Sequence, residues 1–189
     1  MADNPHEKMV SSAIALIAEK GLADTSFADV IAHSGAPRGS IYHHFPQGKR
    51  QLAEAAVRET AERVLAYLRV YEGRDLLEAL DRFIALWRRV VIASDAKSGC
   101  AIAGAALSSG DDERDVMPAV REAFRAWRSA LSDQFERCGL SKDRCNAFAS
   151  LVLAAMEGAL ILCRAEADVG PLDAVATMLR ATAKAEFKP

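Results

Sequence analysis

The chain has 189 residues, of which 51% are hydrophobic, and its formal net charge is −2. That length allows one large domain or two small ones, and the excess of Ala and Leu over β-branched residues favours an all-α protein. Proteins that bind nucleic acid usually have a basic surface, so any DNA-binding surface of this chain must be small and local.

Metal, membrane and export functions are not expected. The first residues lack the basic start and apolar run of a signal peptide. The longest apolar run, 147–163, is too short for a membrane span and contains Ser150 and Glu157. We expect a cytoplasmic protein without metal or cofactor, in which the thiols are reduced and a redox role is the minor alternative. No zinc-type spacing joins the four cysteines, which are Cys100, Cys138, Cys145 and Cys163.

A first helix is predicted to begin after Asn4, because Pro5 suits the first turn and Glu7 the third position of a helix. Gly21 is predicted to end it. Its apolar residues recur at helical spacing and are Val10, Ile14, Ile17 and Ala18.

A second helix is predicted from the capping pair Ser26 and Asp29, and it ends near Ser34. Gly35 follows, and a glycine suits a turn that requires positive φ. The apolar residues of this helix are Phe27, Val30 and Ile31.

The third helix is very short. Pro37 is predicted to lie in its first turn, and Pro46 to end it at Phe45. Pro37, Ile41 and Phe45 are predicted to lie on one apolar side of this helix. That side must anchor the helix, which is too short to be stable alone. Two helices joined by a glycine-containing turn predict a helix-turn-helix. Its predicted core consists of Ile14, Ile17, Val30, Ile31, Ile41 and Phe45.

The free side of the third helix carries the residue types that a DNA groove requires. Arginine donates to guanine or phosphate, hydroxyl and imidazole groups are adaptable, and glycine permits close approach. No Asp or Glu lies between Asp29 and Glu54, so the local charge is positive. The predicted DNA contacts on this helix are Arg38, Gly39, Ser40, Tyr42 and His43.

Four further residues are candidate phosphate contacts. Lys49 opens the next helix, where its charge adds to the free N–H groups of the helix terminus. Thr25 and Ser26 lie at the start of the second helix, although capping explains Ser26 equally well. His44 is nearer the buried side, where a structural role is as well supported as a phosphate contact. His33 is predicted to be an ordinary surface residue.

The rest of the chain is also predicted to be helical. Ser, Gly and Asp clusters over 94–112 predict mobile connections on both sides of one short helix, and Gly170-Pro171 is predicted to separate the last two helices. By apolar spacing, the predicted helices cover 49–71, 75–91, 100–107, 118–139, 141–163 and 172–179.

Glycines, aromatic residues and their spacing agree in three runs: Gly21-x-x-x-Thr25-Ser26-Phe27-x-x-Val30-Ile31-Ala32-x-x-Gly35, Gly39-Ser40-Ile41-Tyr42-x-His44-Phe45 and Lys49-x-x-Leu52. In these runs the chain resembles the amino-terminal domain of TetR-family transcriptional regulators, and over 37–49 it is similar to the LmrA/YxaF-like branch. The resemblance implies a three-helix helix-turn-helix DNA-binding domain over 1–48. A helical-bundle ligand-binding and dimerisation domain would cover 49–189, with helix 49–71 as the connection.

The resemblance further implies that the last two helices pair with their copies in a four-helix bundle. Small residues among larger ones let another helix approach closely, and helix-turn-helix proteins commonly read two half-sites as dimers. An ordinary core helix is the alternative. The predicted homodimer interface consists of Leu151, Ala155, Gly158, Ala159, Leu162, Val175, Met178 and Leu179.

A pocket for a small apolar or amphipathic effector among the middle helices is also implied by the resemblance. Any single bulky residue there is more often packing than ligand contact. Glu157 has three open roles: orienting a ligand, pairing across the dimer, or reaching solvent. The candidate ligand contacts are Phe83, Trp87, Cys100, Phe124, Trp127 and Met156.

We therefore expect a ligand-responsive repressor that binds a near-palindromic DNA operator as a homodimer. The rival is a helical enzyme or small-molecule carrier whose helix-turn-helix is only a packing motif. Gly48-Lys49 is followed by Arg50 rather than Ser or Thr, which excludes a phosphate-binding loop. No Ser-His-Asp or paired-carboxylate signature stands out, so no enzymatic activity is expected.

Overall fold

The computed structural model describes residues 4–108 and 116–186, and all regular elements within these ranges are helices. The prediction of an all-α fold is confirmed. The helices are α1 (Pro5–Lys20), α2 (Phe27–Ser34), α3 (Ser40–His44), α4 (Lys49–Arg69), α5 (Leu76–Ala93), α6 (Ala101–Ala106), α7 (Met117–Arg137), α8 (Lys142–Glu166) and α9 (Gly170–Glu186).

The chain divides into two compact units. The first comprises Met1–Arg63 with Cys100–Phe124, and the second comprises Val64–Gly99 with Arg125–Pro189. Helices α4 and α7 each contribute residues to both units. The predicted domain boundary at residue 48 therefore does not coincide with this division.

Helix α6 belongs to the first unit because it packs closely on α1. Gly104 permits the approach, since a Cβ atom at this position would lie 2.5 Å from the carbonyl oxygen of Ile17. The N–H of Leu22 also donates to the carbonyl oxygen of Gly104, at 3.5 Å. The sequence predicted the short helix, but only the tertiary structure assigns it to the amino-terminal helices.

The ends of α1 and α2 match the predictions. The Asn4 side chain accepts a hydrogen bond from the N–H of His6, and Gly21 caps the other end of α1. Ser26 and Asp29 form a reciprocal capping box at the start of α2. Hydrogen bonds from Ser26, together with Lys20 at 2.9 Å, hold the pKa of the Asp29 carboxyl far below its usual range. Local capping chemistry thus defines the first two helices.

The core of the first unit differs at two predicted positions. Ile14 and Ile31 are only half-buried, whereas Met9, which the sequence reasoning missed, is completely buried. The buried side of α1 follows Met9, Ala13 and Ile17 at four-residue spacing, and the next residue, Ile14, is turned about 100° away from it. On α2 the inward position is taken by Val30, so its neighbour lies at the edge of the core.

Helix α3 begins at Ser40, three residues later than predicted from Pro37. Pro37 is exposed, so the prediction that it lies on the apolar side of this helix was wrong. Its carbonyl oxygen accepts hydrogen bonds from the N–H of Ser40 at 2.9 Å and from the Ser40 hydroxyl at 2.7 Å. The proline therefore opens a turn that leads into the helix, and Ile41 and Phe45 remain as the buried anchors of α3.

The second unit is built from α5, α8 and α9 together with parts of α4 and α7. Two ion pairs join α5 to α9: Arg88 Nε lies 2.9 Å from Asp173 Oδ1, and Arg180 Nε lies 2.6 Å from Asp81 Oδ1. Hydrogen bonding to Arg88 lowers the pKa of Asp173. Both pairs are partly exposed, so they fix the register of the two helices more than they stabilise the unit.

Two connections that were predicted between helices differ from the structure or lie partly outside its described residues. Gly170 and Pro171 are the first two residues of α9 rather than a separator, because a proline in the first turn loses no intrahelical hydrogen bond. Of the connections predicted to be mobile over 94–112, residues 109–112 lie outside the described part of the chain. At its start, the Ser94 hydroxyl donates to the carbonyl oxygen of Val90 at 2.8 Å and accepts from the N–H of Ser98 at 3.1 Å.

Within the described residues, α8 is the one helix long and apolar enough to cross a membrane by length and composition alone. The core helix of a soluble protein can have the same properties. α8 buries a continuous side in its own unit, which includes Phe148, Val152 and Met156. We therefore interpret its apolar character as packing.

Candidate DNA-binding surface

The turn between α2 and α3 is fixed by Gly35. This residue has a φ of 67°, in the left-handed region that favours glycine, and its N–H donates to the carbonyl oxygen of Ile31 at 3.0 Å. The next residues lead through the Pro37 turn into α3. The backbone therefore determines where α3 begins.

Two buried side chains anchor α3 in the first unit. Ile41 and Phe45 are both fully enclosed, and the N–H of Phe45 donates to the carbonyl oxygen of Ile41 at 2.8 Å. The ring of His6, from α1, stacks on Phe45 with 5.0 Å between centroids. The sides of α3 away from these contacts are left open.

The predicted groove contacts lie on this open side and in the turn just before α3. Arg38, Gly39, Tyr42 and His43 are exposed, and Ser40 is half-buried. A Cβ atom at Gly39 would meet no atom of the described residues within 4 Å apart from its chain neighbours, so packing among these residues does not require glycine here. The glycine is compatible with close approach of an external partner.

These side chains differ in the contacts that they make with the rest of the protein. Within the described residues, the Arg38 guanidinium has no hydrogen-bonding or ionic partner. The Tyr42 ring packs edge-on against Phe27, with 5.6 Å between centroids, which orients its hydroxyl group. Arg38 can therefore bind a base or phosphate without first breaking a bond to the protein.

The predicted phosphate contacts at the start of α2 are not supported. Thr25 is buried, and its hydroxyl donates to the carbonyl oxygen of Gly21 at 2.7 Å, so the prediction that it contacts DNA was wrong. The Ser26 hydroxyl donates to Asp29 at 2.7 Å and accepts from its N–H at 3.1 Å. Capping therefore accounts for Ser26.

Lys49 and His44 are both half-buried and contact other parts of the chain. The Nζ of Lys49 donates to the carbonyl oxygen of Ala23 at 3.1 Å, which ties the start of α4 to the loop before α2. His44 is half-buried, with its ring edge-on to both His6 and His43. A phosphate contact by either residue stays a prediction.

His6 is a residue that sequence reasoning did not assign. It connects α1 to α3 by touching both Phe45 and His44, at centroid distances of 5.0 and 5.8 Å. It follows the cap of α1 and has no periodic signal in the sequence. His33 is also engaged, because its Nδ1 lies 3.0 Å from the hydroxyl oxygen of the buried Ser12.

The predicted dimer residues fall into two groups. Ala159 and Leu179 are buried inside their own unit, so the prediction that they face a partner was wrong. Leu151, Leu162 and Met178 are 47%, 49% and 66% exposed. Together with residues missed from the sequence, chiefly Ile161, they form what we call the apolar stripe: Leu151, Ala154, Ala155, Gly158, Ile161 and Leu162 of α8, and Val175 and Met178 of α9.

Three of the predicted ligand contacts form an aromatic cluster, defined as Phe83, Trp87 and Trp127. The centroids of Phe83 and Trp87 are 6.3 Å apart, and those of Trp87 and Trp127 are 5.9 Å apart. Met156 is buried in the same unit. The cluster gives the second unit an aromatic interior.

Cys100 and Phe124 belong to the first unit. Cys100 caps α6, since its sulfur accepts a hydrogen bond from the N–H of Ala103 at 3.5 Å. Phe124 is half-buried, as is Glu157 of the second unit. The sulfur of Cys100 therefore has a structural role as the cap of α6.

Comparison with known families agrees with the described geometry. The family "Bacterial regulatory proteins, tetR family" matches residues 10–56, and "Transcriptional regulator LmrA/YxaF-like, C-terminal domain" matches residues 77–178. An uncharacterised HTH-type transcriptional regulator of Mycobacterium tuberculosis is 39% identical over 188 residues, covering 97% of this chain and 96% of that protein. The HTH-type transcriptional regulator LmrA of Bacillus subtilis is 28% identical over 168 residues, covering 88% of this chain and 89% of LmrA.

Solved structures are similar over nearly the whole chain. A TetR transcriptional regulator from Chloroflexus aurantiacus is 29% identical with a TM-score of 0.73, covering 94% of this chain and 92% of that one. A TetR transcriptional regulator from Legionella pneumophila shares the fold, with a TM-score of 0.83 at 21% identity, covering 96% of this chain and 99% of that one. With its amino-terminal helix-turn-helix and its matched carboxy-terminal domain, the chain belongs to the TetR family of DNA-binding transcriptional regulators, in the LmrA/YxaF-like group.

Proposed function

We propose that the protein is a repressor that binds a near-palindromic operator as a homodimer and is released by a small effector. The observation that carries the DNA-binding part is the open side of α3. Tyr42 and His43 are exposed on α3 and Arg38 is exposed in the turn before it, while Ile41 and Phe45 hold the opposite side of the helix. The chain has no acidic residue between Asp29 and Glu54 to repel phosphate.

Each α3 would enter a major groove. Arg38 is suited to bidentate donation to guanine, and His43 and Tyr42 to adaptable contacts with neighbouring bases or phosphates. Lys49 would hold a phosphate at the start of α4. Two copies of α3 can read one operator only if their spacing matches successive grooves, about 34 Å apart.

The apolar stripe supports dimerisation. Soluble chains seldom expose a continuous row of large apolar residues, and here Leu151, Ile161 and Leu162 lie on one side of α8 with Met178 on α9. Ala155 and Gly158 lie between them and permit close approach of another helix. We propose a symmetric four-helix contact between two copies of α8 and α9.

Effector control is proposed to act through the second unit. The aromatic cluster offers the kind of surface that lines small-molecule sites. A ligand releases DNA only if it binds better to a geometry in which the two α3 helices no longer match the grooves. By reciprocity, operator DNA must weaken ligand binding by the same factor.

Selection of bound sequences from a random DNA pool tests the first part of this proposal. We expect a two-fold symmetric consensus with half-sites about one helical turn apart, bound by a dimer. Titration of Arg38→Ala against the consensus and a scrambled duplex would then assign the contact. A wild-type protein that binds both duplexes equally, or neither, would refute the proposal and favour a helical carrier or enzyme.

A further inference from the structure

Two buried polar atoms of the second unit have no hydrogen-bond partner among the described residues. They are Nε1 of Trp87 on α5 and Oε1 of Gln134 on α7, and both side chains are more than nine-tenths buried. The Nε of Arg82 is a third such atom. Its guanidinium, however, lies 5.2 Å and 5.4 Å from the ring centroids of Tyr67 and Tyr71, whose faces attract the charge.

Unpartnered buried donors and acceptors are costly, because each gave up its hydrogen bonds to water on folding and received none in return. Native proteins keep few of them, and each requires a physical reason. A state in which a ligand supplies the missing partners recovers this free energy. The N–H of Trp87 and the carbonyl oxygen of Gln134 therefore indicate the polar groups that such a ligand carries.

The contacts of two other residues of α7 indicate where these atoms lie between α5 and α7. The two helices are antiparallel: the Trp87 ring contacts the Trp127 ring, and farther along α7 the Cys138 sulfur lies 3.9 Å from the carbonyl oxygen of Gly73, just before α5. Trp127, Gln134 and Cys138 follow one another at spacings of seven and four residues, which places them on one side of α7. Gln134 thus lies on the side of α7 toward α5, about 10 Å along the axis from Trp127.

We propose that the effector is a flat aromatic molecule with a hydrogen-bond acceptor for the Trp87 N–H and, at its opposite end, a donor for the Gln134 carbonyl oxygen. This inference rests on the proposed effector control. The aromatic cluster supplies the stacking surface. Because Nε1 of Trp87 is enclosed in this structure, the ligand can enter only when α5 and α7 move apart. The ligand therefore has different affinities for the closed state seen here and for the opened state.

Such a site selects by polar complementarity. A hydrocarbon of the same shape fills the space between α5 and α7 but leaves both atoms unpartnered, so it is bound less well than a molecule with the matching groups. The discrimination depends on two identified atoms. It should therefore disappear when those atoms are removed and the side-chain shape is kept.

Calorimetric titration of the full-length protein with three matched probes tests the proposal. Naphthalene has no polar atom, quinoline adds one acceptor at nearly constant shape, and quinolin-6-ol adds a hydroxyl donor on the second ring. Trp87→Phe removes the N–H, and Gln134→Met removes the carbonyl oxygen at similar volume. Trp127→Phe is the control, because it takes one indole from the aromatic cluster without touching either unpartnered atom.

The wild type should prefer quinoline to naphthalene, and Trp87→Phe should reduce that preference by about tenfold, which corresponds to about 1.4 kcal/mol. Gln134→Met should reduce only the preference for quinolin-6-ol over quinoline. Trp127→Phe should weaken all three probes alike. Circular dichroism checks the fold of each variant, and if Trp87→Phe does not fold, the Gln134→Met comparison decides.

Preferences that stay the same in Trp87→Phe and Gln134→Met would overturn the proposal, as would a wild type that binds none of the probes. These titrations contain no DNA. Failure of operator binding or release would therefore be a separate result that bears on the proposed repressor function alone.

Discussion

Replacing Ile161 with alanine should weaken self-association, because this side chain belongs to the apolar stripe. It is 59% exposed in the single chain, and complete burial of an isoleucine stabilises by roughly 1.5 to 3 kcal/mol. Burying the exposed part is then worth about 1 to 2 kcal/mol in each protomer and about 2 to 3.5 kcal/mol in a symmetric dimer. Alanine keeps one of the four side-chain carbons, so about three quarters of this free energy is lost and the dissociation constant should rise roughly 10- to 100-fold.

Sedimentation velocity over a dilution series measures this change. Ile92 provides a matched control, since it is the same residue type, is 56% exposed and lies on α5 outside the apolar stripe. Ile92→Ala should leave the dissociation constant unchanged. Equal effects of the two substitutions, or a wild type that is monomeric at micromolar concentration, would refute the assignment of the interface.

Two alanines of α8 test the same surface from another direction. Ala155 is half-buried and belongs to the apolar stripe, whereas Ala159 is buried within its own unit. Ala155→Arg should give a folded monomer, because it places a charge and excess volume in the interface. Ala159→Arg should unfold the protein itself. Folded monomers from both variants would show that the inward and outward sides of α8 have been assigned wrongly.

Arg38→Ala and His43→Ala should each weaken operator binding by roughly 1 to 3 kcal/mol and relax base preference. Lys49→Ala should instead weaken binding to all sequences and lower the slope of log affinity against log salt concentration by about one unit per site. Titrations at several salt concentrations check this, with Arg63→Ala as control because that side chain is bonded to Glu59 and Ser11. Gly104→Ala should lower the free energy of unfolding by about 1 to 3 kcal/mol, since its Cβ would lie 2.5 Å from the Ile17 carbonyl oxygen. Gly39→Ala should leave it unchanged, since apart from the chain neighbours no described atom lies within 4 Å of the added Cβ. Denaturant titration compares the two variants. Burial raises the pKa of the Cys138, Cys145 and Cys163 thiols, so they should react slowly with Ellman's reagent at about pH 8 until the protein unfolds. The thiols of the unfolded chain ionise first, at about pH 8.5. The free energy of unfolding should therefore fall as the pH rises from that value through the higher pKa of the thiols in the folded protein.

The chemistry of the helix ends could be predicted from the sequence because it acts over three or four residues. Asn4 and the pair Ser26 and Asp29 cap α1 and α2 as expected, and Gly35 has the positive φ that its position required. The same signals, with the spacing of Ile41 and Phe45, were enough to predict a helix-turn-helix. Pro37 was placed wrongly because a proline before a helix and a proline in its first turn look alike in sequence.

The sequence by itself determined that this protein is helical and where most of its helices begin and end, and it predicted which short helix contacts DNA. Only the tertiary structure decided which sides of those helices face inward. Apolar periodicity cannot distinguish a side buried in the chain from one left for a partner, so only packing could separate two nearby residues of α8: Ala159 points inward, and Ile161 points outward. It also cannot show that Gly104 brings α6 onto α1, or that the N–H of Trp87 is enclosed without an acceptor among the described residues, because both facts depend on atoms distant in the chain.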